Sequence, residues 1–112
     1  MIITFPWPPK ELNPNVKSHW AVKNRIVQKF KSECYLLCRE VNFKSGSHKF
    51  AITFAPPMNR KRDVDNVIAS CKTLVDALAL ASKLDDSKFK IKWPLGFEPV
   101  CKGGAIIVEV LE

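Results

Sequence analysis

No stretch of this sequence is long and apolar enough to span a bilayer, and the opening apolar run stops at Pro6 with no basic segment before it. Neither a membrane span nor a secretory leader is read from these residues. There is no CxxC pair, and no histidine completes a zinc set with Cys34, Cys38, Cys71 and Cys101. The thiols therefore read as reduced, buried, small hydrophobes, which places the chain in a reducing cytoplasm. No internal repeat, low-complexity segment or linker divides the chain, so residues 1–112 are expected to form one domain. An aromatic-rich strand of the RNP type is also missing, which removes the signature of an RRM-like RNA-binding domain. Acidic charge is scarce: 11 Asp and Glu stand against 18 Lys and Arg, for a net charge of +7. Such an excess favours a polyanionic partner, nucleic acid first and an anionic membrane surface second.

What is present alternates between strand and helix signals. "IITF" at 2–5 is β-branched or aromatic and is ended by "PWPP", which cannot continue a ladder. "KELNPNVKS" has neither period and reads as an irregular loop. From about His19 to Val41, Ile26, Phe30, Cys34, Leu37 and Val41 recur at helical spacing, one stripe of a long amphipathic helix. "KFAITFA" at 49–55 predicts a second strand closed by Pro56 and Pro57. Ile68, Cys71, Val75 and Leu78 predict a second helix ending near Ser82. "KFKIKW" alternates basic and apolar residues, as a strand with one buried and one cationic face would, and "GAIIVEVLE" supplies the last strand. The order β-α-β-α-β-β predicts an α+β fold, a small mixed sheet with two main helices on one face.

The densest charge lies in "RKRDVDN" at 60–66. In an extended segment Asp63 and Asp65 point to one side and Val64 to the other, so the carboxylates repel unless a counter-charge joins them. Mg²⁺ suits them, being a hard cation that takes carboxylate oxygens and promotes hydrolysis of phosphodiesters. The competing reading has Asp65 or Asn66 capping the next helix while Asp63 is solvated. A second acidic pair, Asp85 and Asp86 in "LDDS", follows the second helix; an antiparallel return would bring it beside the first, although it has good turn chemistry of its own. Lys72 lies seven residues after Asp65, on nearly the same face of a continuous helix, within reach of a phosphate; equally, it could pair with Asp76 one turn on.

"FPWPPKELNPN", "SHWAVKNR", "RKRDVDN", "CKTLVDAL" and "LDDS", in that order over most of the chain, resemble the RusA family of Holliday junction resolvases. The resemblance implies a homodimeric, Mg²⁺-dependent endonuclease of phage or prophage type. Such an enzyme binds four-way or other branched DNA and nicks two strands symmetrically, without a nucleotide cofactor. By position, Asp63, Asp65 and Asp86 match the family's metal-binding carboxylates. The family lysine falls on Ala69 when counted from the aspartates and on Lys72 when counted from "DAL", a difference of three residues that implies a short insertion in "NVIASCK". Lys72 is taken as the catalytic lysine. Arg60, Lys61 and Arg62 are expected to approach the DNA backbone, with Lys10, Lys17, His19, Lys23 and Arg25 as further DNA-binding candidates and Trp20 as a packing anchor rather than a base-stacking platform. The rival reading is a catalytically silent module for branched or single-stranded DNA, which explains the charge and the basic strand but leaves the aspartates close to DNA without a role.

Overall fold

Alternation builds the sheet. In the computed structural model, which describes residues 1–111, strand β1 (Ile2–Pro6) turns Ile3 and Phe5 inward and leaves Ile2 and Thr4 exposed. Strand β2 (Lys49–Ala55) buries Phe50, Ile52 and Phe54. Strand β4 (Ala105–Leu111) buries Ile106, Val108 and Val110 on the same side, while the short β3 (Lys90–Lys92) contributes Ile91. The strands lie in the order β1-β4-β2-β3, with β4 antiparallel to both its neighbours and β2 parallel to β3. The fold is therefore the expected α+β arrangement with a mixed four-stranded sheet.

Helix α1 (Trp20–Glu40) and helix α3 (Lys72–Ser82) cover one face of this sheet, where Phe30, Cys34, Cys38, Leu74, Ala77 and Leu78 join the inward strand residues in a single core. The fully buried line of α1 is Phe30, Cys34 and Cys38 at four-residue spacing; Leu37 and Val41 flank it half-buried. Each aromatic ring so enclosed contributes about 2–3 kcal/mol through the apolar surface it removes from water. All four cysteines are free, and three of them are buried, as small hydrophobes are expected to be. Among the described residues no helix is long and apolar enough to cross a membrane.

Three local expectations change. The second helix is two helices, α2 (Val64–Ser70) and α3, because Cys71 leaves helical geometry (ψ 0°) and its N–H turns back to the Ile68 carbonyl. Ser70 assists the break: its hydroxyl donates to the Asn66 carbonyl at 2.8 Å, competing with the backbone for that acceptor. The loop after β1 contains a 3₁₀ turn at Lys10–Leu12 that buries Leu12. "KFKIKW" pairs only over Lys90–Lys92, since a second 3₁₀ turn, Asp86–Lys88, occupies the residues just before it.

The parallel pairing of β2 with β3 sets the ends of the molecule. Lys49, which opens β2, is in register with Lys90, which opens β3. The chain therefore returns from α3 to the starting end of β2, whereas residues 56–63 leave from its other end.

Candidate active site

At the end where β1 and β2 finish, prolines stop both strands and force their continuations into loops. Trp7, Pro8 and Lys10 from the first loop face Pro57, Arg60 and Asp63 from the second across a cleft of about 460 Å³. Trp7 ties this end to the core through an edge-on contact with Phe54, ring centroids 6.4 Å apart. Gly104, entering β4, lies against both loops: a Cβ there would stand 2.9 Å from Pro57 Cδ and from Trp7 Cβ, and its φ of +73° suits glycine alone.

Four predicted cations line this cleft: Lys10, Arg60, Lys61 and Arg62. Arg60 and Lys61 are exposed, but Arg62 is not the free backbone contact expected of it. Its guanidinium lies over the Trp7 ring, 5.3 Å from the centroid, and donates to the Met58 carbonyl at 3.3 Å. Its Nε is buried without a partner. Burial, followed by the charge of Arg60, lowers the pKa of Arg62 below the usual arginine value. Arg62 thus holds the 56–63 loop in shape against Trp7.

The two aspartates do not sit on an extended segment. Asp63 is extended (φ −93°, ψ 121°) and caps α2, its carboxylate accepting the Asp65 N–H at 2.9 Å, so the cap is Asp63 and neither Asp65 nor Asn66. Asp65 is already in the first helical turn, where a negative charge is favoured by the helix dipole. Both carboxylates remain exposed within two residues of each other. The pair offers the hard oxygen donors that Mg²⁺ takes, and Mg²⁺ commonly binds through one or two carboxylates with substrate phosphates completing its shell.

Asp86 is not brought to this pair. It lines a separate cleft with Lys31 and Asp76 at the far end of α3, near the start of β3. Among the described residues no three His, Cys, Asp or Glu side chains gather closely enough to hold a metal ion. The reason is the parallel β2–β3 pairing, which returns the chain to the opposite end of the sheet. Within the acidic pair the roles divide: Asp85 caps the 3₁₀ turn by accepting the Ser87 N–H at 2.9 Å, while Asp86 is exposed. That hydrogen bond holds the Asp85 carboxyl below its ordinary value of 3.8, so the cap acts above that pH and is lost as pH falls below it. Lys72 is exposed at the first residue of α3; the break at Cys71 removes the shared helix face that would have aligned it with Asp65.

Of the other candidates, Lys17, Lys23 and Arg25 belong to the loop before α1 and its first turns, and Val16 of that loop reaches the cleft. His19 caps α1 through Nδ1, which accepts the Ala21 N–H at 3.2 Å. Trp20 is not a packing anchor: it is 75% exposed and stacks on His19, ring centroids 5.9 Å apart. The general tendency of tryptophan to pack misplaced it, because it is the first residue of α1, beyond the part of the helix that meets the sheet. The site residue that sequence reasoning missed is Trp7, whose signal was its position between Pro6 and Pro8 in "FPWPP".

No protein-family model matches this chain. It is similar to an uncharacterised protein of Xylella fastidiosa, 28% identical over an alignment of 114 positions, which covers 96% of this chain and 74% of that protein.

Proposed function

We propose that this chain is a cytoplasmic, RusA-like endodeoxyribonuclease that uses Mg²⁺ to resolve Holliday junctions or other branched DNA by paired phosphodiester hydrolysis. The observation that carries this reading is the cleft of four cations lined also by Asp63, two residues from the exposed Asp65. Cations alone would serve binding. Carboxylates beside them weaken it, and so are explained by chemistry at the phosphate.

In this reading Lys10, Arg60 and Lys61 draw the sugar–phosphate backbone into the cleft, and such contacts position DNA without reading its sequence. Asp63 and Asp65 would hold Mg²⁺, which would withdraw charge from the phosphodiester and acidify water. In the hydrolysis the water oxygen would bond to phosphorus and its proton pass to bulk water, while the bond from phosphorus to one bridging oxygen breaks and that oxygen takes up a proton from bulk water. Lys72, exposed at the start of α3, neutralises a phosphate along the same backbone. Trp20 offers an exposed ring on which an unpaired base at the branch stacks. Because Asp86 lies at the opposite end of the sheet, the homodimer completes each site, setting Asp63 and Asp65 of one protomer against Asp86 of the other.

The experiment uses a synthetic four-way junction, with and without Mg²⁺. Wild type is expected to nick it only with Mg²⁺, and Asp65→Asn and Asp86→Asn each to lose nicking while still binding. Mixing the two inactive variants should restore activity, since a mixed dimer regains one intact composite site. Junction binding without any metal-dependent nicking would overturn the nuclease in favour of the silent binding module. Failure to complement would show that each site is built within one chain.

A further inference from the structure

The cleft does not account for the alternating segment "KFKIKW". In β3, Ile91 packs towards the core while Lys90 and Lys92 stand exposed on the face of the sheet away from the helices. Parallel pairing places Lys49, also exposed, in register with Lys90, and Ala51 in register with Lys92. Same-face residues of one strand are about 6.6 Å apart and paired strands about 4.8 Å, so three ammonium groups arise from one small triangle of backbone. Their register neighbours in the sheet are apolar: Leu111 beside Lys49, and Ala51 beside Lys92. Ala51 also separates Lys92 from Glu109, the carboxylate carried by β4 on this face. Lys44 extends the cationic surface, lining a small cleft of about 240 Å³ together with His48 and Lys49.

Lysines on an edge strand discourage edge-to-edge pairing, and that accounts for Lys90 and Lys92. It does not account for Lys49, because β2 lies inside the sheet with β4 on one side and β3 on the other. Three cations without an ion pair among the described residues repel one another, and an anion that bridges them relieves the cost. The two-residue strand repeat is close to the distance between adjacent phosphates along one nucleic-acid strand. The strip also lies at the start of β2, whose seven residues put about 20 Å of strand between it and the loop that opens the cleft. That separation is about the width of a DNA duplex.

We propose that Lys49, Lys90 and Lys92 form a second nucleic-acid contact, which holds one arm of a branched DNA while another arm lies in the cleft. This rests on the nuclease reading and explains how such an enzyme would prefer a branch to a linear duplex, since only branched DNA presents two arms at once.

The test compares wild type with the triple variant Lys49→Ala, Lys90→Ala, Lys92→Ala in Mg²⁺-free buffer, measuring affinity for a four-way junction and for a linear duplex across a salt series. For the junction, the slope of log K against log salt should become shallower by about 0.9 for each lysine removed. Preference for the junction over the duplex should fall, and the corresponding Lys→Arg triple should retain both. An unchanged slope and preference overturn the second contact while leaving the nuclease reading intact. Loss of duplex and junction affinity in equal proportion also overturns it, by placing the lysines at the contact both substrates share. Wild type that binds neither DNA overturns both readings. If wild type instead binds vesicles of anionic lipid, and the triple variant loses only that binding, the strip is a membrane contact and the proposal fails.

Discussion

Asp63 performs a structural task that its sequence context leaves open, and this separates stability from chemistry at a single residue. Its carboxylate caps α2, and asparagine is as good a cap as aspartate. Asp63→Asn should therefore melt close to wild type yet lose Mg²⁺-dependent nicking, whereas Asp63→Ala should lose nicking and about 1 kcal/mol of stability as well. Thermal melts beside the junction assay check this, and a destabilised but active Asp63→Ala would assign the residue to capping alone. The same division separates Asp85, which caps a turn, from Asp86, whose carboxylate caps nothing. Neither division is legible in "RKRDVDN" or "LDDS", because acidic residues at a helix start and acidic residues at a metal share one composition. Which oxygen meets which N–H is decided by backbone angles.

At the scale of elements, boundaries marked by proline were legible and those inside an unbroken apolar period were not. "KFAITFA" is β2 to the residue, because alternation defines its length and Pro56 and Pro57 end it. The break between α2 and α3 passes unseen because Cys71 is fully buried and so keeps the three-four spacing of a continuous helix. Periodicity reports which side chains face the core and is insensitive to one residue leaving helical geometry. The cleft depends on a comparable single point at the entry to β4. Gly104→Ala would force a methyl group to 2.9 Å from Pro57 and Trp7 at a positive φ. A loss of about 1–3 kcal/mol is expected, read as a lower urea midpoint, with weaker DNA binding because both neighbours wall the cleft. Unaltered stability and binding would show that the two loops shift without cost.

For the whole molecule, the core imposes a pH limit. Burial pushes the Cys34 and Cys71 thiols from the ordinary 9.0 up to about 12, and the Cys38 thiol up to about 11. Between pH 9 and those values the unfolded chain ionises its thiols while the folded chain keeps them protonated, so the folded state binds more protons. Stability is therefore complete below about pH 9 and declines as pH rises through the folded values. Urea midpoints at pH 8 and pH 10 should show the decline, and Cys34→Ala should make it shallower; an equal slope in that variant would assign the decline to other groups. Thiols held in this way are poor nucleophiles at neutral pH, which leaves the carboxylates and cations as the chemistry the molecule presents.

Composition and local pattern alone determined the fold class, the limits of β2 and most of α1, the burial of three thiols, and the union of Arg60, Lys61, Arg62 and Asp63 in one place. Those are consequences of near neighbours in the chain, where side-chain alternation, proline and charge spacing act directly. Tertiary structure alone decided that Asp86 lies apart from Asp63 and Asp65, that Lys49 joins Lys90 and Lys92, and that Trp20 faces water. Each of these depends on which strands pair and at which end the chain returns. That choice is made by the fit of a whole buried face against another, and no short segment carries it.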